Sequence, residues 1–330
     1  MKPIAYLLIA VICIVCGCSP VEQQNTTTSM TVPVKPVELQ PLKSQAFAII
    51  KTGIADNSAY IRHHAIEIAA LTNQKDLIAD IIQKLDDPSV AVRFVAAIAI
   101  GEMRCPTCGD HLKKALADED QNVQIAGAYA LIKTGDTAYY QKIRDAALST
   151  DGTVRANALL LLGKLGNKDD LDLIYRATKD NDAPDKVRIQ AVDSIARLKD
   201  VRIYKEKLWP LLISKFADDR VMGIRGMGSL GTKEAKDAIQ TMLKDDIAEV
   251  RLCAADELGK LGNSSGLEEL VKYFQTNPDL NQATVATGTA VMAIGNIKAN
   301  NLTGYLAKSL NSNSPYIRLA AAQSILLMTK

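Results

Sequence analysis

The sequence DPSVAVRFVAAIAIG occupies residues 87–101 and carries a pattern that recurs through most of the chain. If Arg93 is taken as an anchor, the residue before it is apolar, the third residue after it is small and the seventh after it is apolar again. These offsets lie on one face of an α-helix, so the pattern predicts an amphipathic helix with a buried face. The small residue predicts a point where a neighbouring helix approaches closely.

The pattern occurs nine times between residues 62 and 318, in steps of about 32 residues. The nine anchor positions are Arg62, Arg93, Gln124, Arg155, Arg188, Gly223, Arg251, Thr287 and Arg318. Six residues before the anchor, eight of the nine repeats carry Asp, Asn or Ser, which predicts helix N-caps at these positions. A glycine is expected to end the helix in five repeats, at Gly101, Gly163, Gly231, Gly259 and Gly295.

A second amphipathic segment follows each of these first helices. Ile78, Ile81, Ile82 and Leu85 show it in the first repeat. Each unit is therefore predicted to be helix–turn–helix. Residues 45–54 match a second helix alone and residues 315–327 a first helix alone, which predicts eight full repeats with a half-repeat at each end.

These repeats resemble HEAT repeats, and specifically the HEAT-like repeats named after phycobilisome lyases. The resemblance rests on Asp87-Pro88, Val92-Arg93, Ala96-Ala97 and Ile100-Gly101, and on their recurrence over residues 45–330. It implies an all-α fold, a right-handed α-solenoid of about eight to nine repeats whose second helices line a concave face. Solenoids serve many roles, so the resemblance indicates the fold more strongly than the function.

The first residues have the features of an export signal. Lys2 precedes an uncharged apolar run from residue 4 to residue 17, which is shorter than the roughly 20 residues of a membrane span. The run ends in Val15-Cys16-Gly17-Cys18, which resembles a bacterial lipoprotein signal and implies cleavage after Gly17 and a lipid on Cys18. A plain secretory signal or a short anchor is the alternative.

The chain is thus predicted to comprise a signal peptide (1–17), a lipidated Cys18 with a flexible linker (18–44), and the repeat solenoid (45–330). Four prolines and a polar run indicate the linker. Ser19, directly after Cys18, favours the outer membrane over the inner membrane. The expected location is the cell envelope, lipid-anchored and facing the periplasm if the organism is Gram-negative.

The charge balance limits the class of partner. The 330 residues include 39 Lys or Arg and 37 Asp or Glu, a formal net charge of +2. A nucleic-acid-binding protein would usually carry a basic excess, so no nucleic-acid partner is expected. The expected partners are other proteins, together with the membrane through the lipid anchor.

The pair Cys105 and Cys108 offers local chemistry, because the motif Cys-Pro-Thr-Cys resembles thioredoxin-type redox motifs. In an exported protein a structural disulfide is the default, and the strand framework of a redox fold is absent. A zinc site with His111 would need His63 or His64, which are predicted at a different level of the helices. Cys253 is predicted to be a buried, inert thiol.

Two groups of residues are candidate partner contacts. Tyr273 and Tyr305 lie on second helices away from the apolar stripe, and tyrosine is enriched at binding hot spots. The alternative is that they pack between repeats. The final helix is apolar around more than half of its circumference, which predicts an exposed patch at Leu319, Leu326 and Leu327 unless the helix buries them against the preceding unit.

No catalytic, cofactor-binding or metal-binding motif stands out, so the protein is not expected to be an enzyme. The recurring arginines are interpreted as a structural ladder between units. The leading hypothesis is a membrane-anchored interaction scaffold of the cell envelope. The alternatives are a thiol–disulfide redox factor using Cys105 and Cys108, and a purely architectural subunit of an envelope complex. The fifth unit is predicted to be irregular, because Trp209-Pro210 interrupts its second helix.

Overall fold

The computed structural model describes residues 34–281 and 284–330. The predicted signal peptide, Cys18 and most of the predicted linker lie outside these residues. Within them the regular structure is helical, with eighteen α-helices and no β-strand. None of the helices described is long and apolar enough to cross a membrane.

First and second helices alternate along the chain. The first helices are α2 (Ala59–Leu71), α4 (Val90–Glu102), α6 (Gln121–Lys133), α8 (Gly152–Leu165), α10 (Asp185–Arg197), α12 (Ala217–Leu230), α14 (Ala248–Lys260), α16 (Val285–Ile297) and α18 (Pro315–Met328). The second helices are α1 (Lys43–Ile54), α3 (Ile78–Gln83), α5 (Gly109–Leu116), α7 (Tyr140–Ala146), α9 (Leu171–Lys179), α11 (Trp209–Leu212), α13 (Lys233–Thr241), α15 (Leu267–Thr276) and α17 (Thr303–Ser309).

The predicted buried face of the first helices is confirmed. Val92, Ala96 and Ile100 are fully buried, and each first helix packs against the first helix of the next unit and the second helix of the preceding one. The small residue three after the anchor lies against that second helix. A Cβ atom added to Gly127 would lie 3.0 Å from the backbone nitrogen of Leu116, so the helices approach as closely as predicted.

The aspartates six residues before the anchor are not N-caps. The helices begin two residues later, for example after Ser58, Ser89 and Asp120. Asp87 instead accepts a hydrogen bond from the Ser89 amide within the turn, at 2.9 Å, and its carboxylate binds an arginine of the preceding unit. The prediction was wrong because these carboxylates accept from the amide two residues ahead, which forms a turn before the helix begins.

The anchor of the sixth unit is Arg220 and not Gly223. Helix α12 begins at Ala217, and other first helices likewise begin three residues before their anchor. Gly223 takes the position of the small residue, where a Cβ atom would lie 3.0 Å from the backbone nitrogen of Leu212. Glycine and alanine are frequent in this helix, so the spacing of small residues fits two alignments.

Four of the five glycines expected at helix ends lie within the helices, at crossings between neighbouring first helices. A Cβ atom on Gly101 would lie 2.7 Å from Cα of Ala130, and one on Gly163 would lie 2.9 Å from Cα of Ser194. Gly259 and Gly295 meet the next first helix in the same way. Only Gly231 caps a helix, with φ of 68°.

The two ends of the repeat array pack against each other. Helix α18 contacts α1 and α2, and a Cβ atom on Gly53 of α1 would lie 3.2 Å from Leu319. The Lys43 ammonium donates a hydrogen bond to the Thr329 carbonyl at 3.0 Å. The terminal half-repeats therefore combine into a ninth unit, α18 with α1, and the repeats form a closed ring.

Ring closure overturns the predicted C-terminal patch. Leu319 and Leu326 are each 1% exposed, and Leu327 is half-buried. The prediction treated the last helix as an open end of the array. In the structure α1 covers the face that a following helix would have covered.

The segment just before α1 is packed rather than free. Leu39 is buried, and the Val37 amide donates a hydrogen bond to the hydroxyl of Thr303 at 2.9 Å. A short 3-10 turn, Gln40–Leu42, leads into α1. Residues 34–44 therefore do not belong to a flexible linker, because α17 offers them both apolar and hydrogen-bonding contacts. We call residues 34–39 the N-terminal strap.

Candidate interaction cavity

The ring encloses a cavity of about 1550 Å³. Every first helix contributes side chains to its wall, mostly at positions five and nine residues after the anchor. Examples are Glu67, Glu102, Lys133, Arg197, Arg225, Lys260, Asn296 and Gln323. The first helices thus line the inner wall, and the expectation that the second helices line a concave face is wrong. The second helices lie mainly outside, because each packs on the outer side of the next first helix.

One side of the wall is a network centred on Glu102. Its carboxylate accepts a hydrogen bond from the Tyr129 hydroxyl and forms ion pairs with Lys164 at 2.9 Å and Lys133 at 3.5 Å. Burial alone would raise the pKa of Glu102, but these donors hold it below its usual value. The network joins α4, α6 and α8 and fills this part of the lumen.

A second network connects α10 with α12. Asp193 binds Arg197 at 2.6 Å and accepts a hydrogen bond from the Ser229 hydroxyl at 3.1 Å. The Lys199 ammonium donates to the carbonyl of Ser229. Burial and the charge of the nearby Arg197 lower the pKa of Lys199. The Lys199 ammonium and the Arg197 guanidinium therefore lie close together on this part of the wall.

The third network lies on α14 and α16. Lys260 bridges Asp256 and Glu257, each at 2.8 Å, and the Asn296 amide donates to Asp256 at 2.8 Å. Burial raises the pKa of Glu257 despite its contact with Lys260. One ammonium therefore serves two carboxylates here, which leaves this wall more anionic than the Glu102 side, where two ammonium groups share one carboxylate.

Between these networks the wall keeps groups available for a ligand. Arg225 is exposed to the cavity and forms no ion pair within the described part of the chain. Ile189, 45% exposed, lies on the same wall. Cys253 also borders the cavity but is 5% exposed, and burial raises the pKa of its thiol to about 12, as expected for an inert group.

The predicted arginine ladder is present at some joints between units but not at all of them, because the anchors Arg188 and Arg251 pair within their own units and Arg318 donates to backbone carbonyls. Arg62 binds both oxygens of Asp87, at 2.8 and 2.7 Å, and Arg93 binds both oxygens of Asp118. Arg155 and Asp180, and Arg220 and Asp245, repeat the pair with the same spacing of 25 residues. Arg62 and Arg93 also donate to the carbonyl six residues upstream. Because their guanidinium groups are bound within the protein, these arginines do not form a row that could bind anions.

The cysteines form a disulfide between Cys105 and Cys108, whose Cα atoms are 5.5 Å apart. The residues are 5% and 1% exposed, and Cys108 precedes the first residue of α5. His111 is exposed, and the described residues contain no group of three or more metal-ligating side chains that could hold an ion. A disulfide that exchanges with partner thiols needs accessible sulfur, so this burial disfavours the redox alternative.

The two tyrosines proposed as partner contacts lie in the core. Tyr305 is 1% exposed and stacks on Phe274, with ring centroids 4.5 Å apart. Tyr273 is 8% exposed and its hydroxyl lies 2.9 Å from the hydroxyl of Thr287. The prediction of exposed contacts was wrong, because both rings fill grooves between neighbouring repeats.

The match to known families follows the same units. The family model described as HEAT repeats matches residues 48–132, 78–159, 109–196 and 205–288. This chain is a HEAT-repeat protein. Its matches overlap along the array and leave out residues 197–204, at the irregular start of the fifth unit's second segment.

Solved structures similar to this HEAT-repeat protein share little sequence with it. The complex of CpcE and CpcF of phycocyanin lyase from Nostoc sp. PCC7120 is 15% identical, with a TM-score of 0.44, over 76% of this chain and 93% of that one. Human deoxyhypusine hydroxylase is 19% identical, with a TM-score of 0.37, over 78% and 97%. No curated protein matches the chain in sequence.

The cavity residues of this HEAT-repeat protein escaped prediction from the sequence. The position nine residues after the anchor carries Glu102, Lys133, Lys164 and Lys260. A charged residue at a fixed place on a helix is usually on a solvated outer face. The signal that could have found them is the repetition of polar residues opposite the second helices, because ring curvature turns that face inward.

Proposed function

We propose that this HEAT-repeat protein is a lipid-anchored scaffold of the cell envelope that holds an extended segment of a partner protein in its inner cavity. The observation that carries the proposal is the polar inner wall. Arg225 lines the cavity without an ion pair in the described residues, and the partly exposed Ile189 lines the same cavity. The wall thus combines an apolar contact with charged groups, as protein-binding surfaces do.

The size and charge of the cavity favour a peptide segment. Its volume of about 1550 Å³ exceeds the roughly 300–1,000 Å³ of ordinary small-molecule pockets. The wall is more cationic near Lys133 and Lys164 and more anionic near Asp256 and Glu257, which suits a chain carrying charges of both signs.

The anchoring part of the proposal rests on the sequence. Val15-Cys16-Gly17-Cys18 has the features of a lipoprotein signal, and several acyl chains on Cys18 would hold the protein stably on a membrane. Ser19 favours the outer membrane, with the ring facing the periplasm. The residues from 19 to 33 would separate the ring from the lipid surface.

Photo-crosslinking in intact cells tests the binding site. A photoreactive amino acid at Arg225 or Ile189 should give one recurrent crosslinked protein. The matched control is Leu148, which is 64% exposed at the end of α7 and does not line the cavity. Equal or stronger crosslinking from Leu148, with none from the cavity, would contradict the proposed site.

A Cys18→Ser variant separates anchoring from binding. It should lose its acyl chains and the membrane association that survives high salt and alkaline pH, while the purified ring should still crosslink from Arg225. Unchanged membrane fractionation and acylation would contradict the lipid anchor and leave the cavity result intact.

A further inference from the structure

The fifth unit has a second segment unlike that of the other units. After α10 the chain forms a π-helical turn, Tyr204–Leu208, and then the single helical turn α11. Pro210 follows this π-helical turn directly and has no amide hydrogen to donate to the preceding turn, so the irregularity predicted at Trp209-Pro210 is present. π-helical turns inside α-helices are frequently found at functional sites.

This segment presents a cluster of exposed apolar side chains. Val201, Trp209, Ile213 and Phe216 are 62%, 42%, 68% and 59% exposed. They account for four of the twelve exposed large apolar residues within the described ranges. Ile213 follows Trp209 by one helical turn, and the Tyr204 ring stacks beside Trp209 with centroids 6.2 Å apart. We name these four residues the unit-five patch.

The opposite face of the same segment is fully used by the fold. Leu208 and Leu212 are 0% and 3% exposed and pack towards α12. A Cβ atom on Gly226 would collide with Leu208, so α12 lies directly against this face. The segment is therefore amphipathic: Leu208 and Leu212 are buried against α12, whereas Trp209 and Ile213 are exposed, and Phe216 is exposed at the start of α12.

Cationic side chains flank the patch. Lys205 and Lys215 are exposed, and neither forms an ion pair within residues 34–281 and 284–330. The Lys215 ammonium lies 4.9 Å from the centre of the Phe216 ring. Asp218 is the exposed acidic residue nearest to Phe216, whereas Glu206, like Lys207, borders the cavity. The surface around the apolar side chains thus carries a positive excess.

We propose that the unit-five patch binds the surface of a bilayer that contains anionic lipids. Trp and Phe enter the boundary between headgroups and acyl chains, while lysines at the rim attract the negative surface. The unpaired lysines make this occupant fit better than an apolar protein surface, which would leave their charges without partners. The contact does not require the lipid on Cys18.

The chain reports on this contact directly, because Trp209 is its only tryptophan. Residues 34–330 contain the whole hydrophobic core and both halves of the ring closure, so they suit an assay free of the acyl anchor. Vesicles of phosphatidylcholine with about 30% phosphatidylglycerol should shift Trp209 emission to shorter wavelength. Brominated lipids should quench it, and vesicles of phosphatidylcholine alone should have a much smaller effect.

Substitutions distinguish the patch from general stickiness. The double variant Ile213→Asp with Phe216→Asp should reduce vesicle binding about tenfold or more, because it removes apolar burial and adds repulsion. Leu148→Asp, at a similarly exposed apolar residue just after α7, should bind like the parent protein. Lys205→Glu with Lys215→Glu keeps the patch and should lose only the preference for anionic vesicles.

Circular dichroism and melting curves would verify that each variant is folded. Unchanged Trp209 emission with every vesicle composition would overturn the proposal. So would equal binding by the patch variant and the Leu148→Asp control.

Discussion

At the scale of single residues, the ring depends on paired charges at the joints between units. Arg62 and Asp87 leave 10% and 4% of their side-chain surfaces exposed. Burial opposes ionisation of Asp87, but hydrogen bonds from Arg62 and Ser89 outweigh it and lower its pKa. Breaking such a pair leaves one buried charge without a partner, which costs more than the pair itself contributes.

We therefore expect Asp87→Ala to lower the free energy of unfolding by about 3–5 kcal/mol, because Arg62 then stays buried and unpaired. Urea denaturation followed by circular dichroism would measure the change. The matched control is Asp237→Ala, which removes the exposed i,i+4 pair with Lys233. That loss should stay within about 0.5 kcal/mol, and a similar cost for both variants would contradict the structural role of the ladder.

The sequence predicted that the arginines hold neighbouring units together, but it misplaced the aspartates. Asp followed by a helix is the ordinary signal of an N-cap. Here Asp56, Asp87 and Asp118 accept from the backbone two residues ahead, and the helix begins after that turn. Local propensity could not show that Asp87 and Asp118 also face an arginine 25 residues upstream.

At the scale of elements, the N-terminal strap extends the ring beyond its helices. Gly304 of α17 lies directly under the backbone of Lys35 and the side chain of Val34. A side chain at this position would push the strap away, because a Cβ atom would overlap the Lys35 carbonyl. The strap therefore needs glycine at the point where it crosses α17.

We expect Gly304→Ala to release the strap and destabilise the protein by about 1–3 kcal/mol through steric overlap. Hydrogen exchange would report the release at the Val37 amide, whose hydrogen bond to Thr303 should open. Gly109→Ala serves as the control, since nothing lies within 4 Å of a Cβ atom there. Unchanged protection of Val37 in Gly304→Ala would show that the strap does not depend on this contact.

Helical periodicity predicted most elements but not every alignment. In α4 the pattern of Val92, Ala96 and Ile100 has one solution, and it is confirmed. In α12 the residues Gly223, Gly226 and Gly228 fit more than one alignment, and the missing information was which glycine meets which neighbour. That depends on Leu212 and Glu257, which lie on other helices.

At the scale of the whole molecule, closure decides which surfaces are available. The final helix would be an exposed edge in an open solenoid, and Leu319 and Leu326 would need a partner. In the ring, α1 and α2 cover this helix, and the Lys330 ammonium reaches the Leu71 carbonyl at 3.5 Å. The surfaces left for binding are the inner cavity and the outer wall.

Closure itself could not be predicted from the repeat pattern. It depends on small rotations between neighbouring units that add up over nine steps. No single repeat contains this information, although Phe47, Ile50 and Ile54 already matched a second helix without its first. The two half-repeats at the ends were the visible sign, and treating them as separate ends of an open array missed that each completes the other.

The distance between the two ends of the array distinguishes a ring from an open solenoid. Spin labels can be placed on exposed Ser44→Cys and Lys330→Cys in a Cys253→Ser background, next to the contact between Lys43 and Thr329. Pulsed electron–electron double resonance should then give a narrow distribution of label-to-label distances below about 25 Å, because α1 and α18 are packed neighbours. An open array with eight interhelical steps of about 8–10 Å would separate the labels by more than about 40 Å, and a distribution centred there would contradict the closed ring.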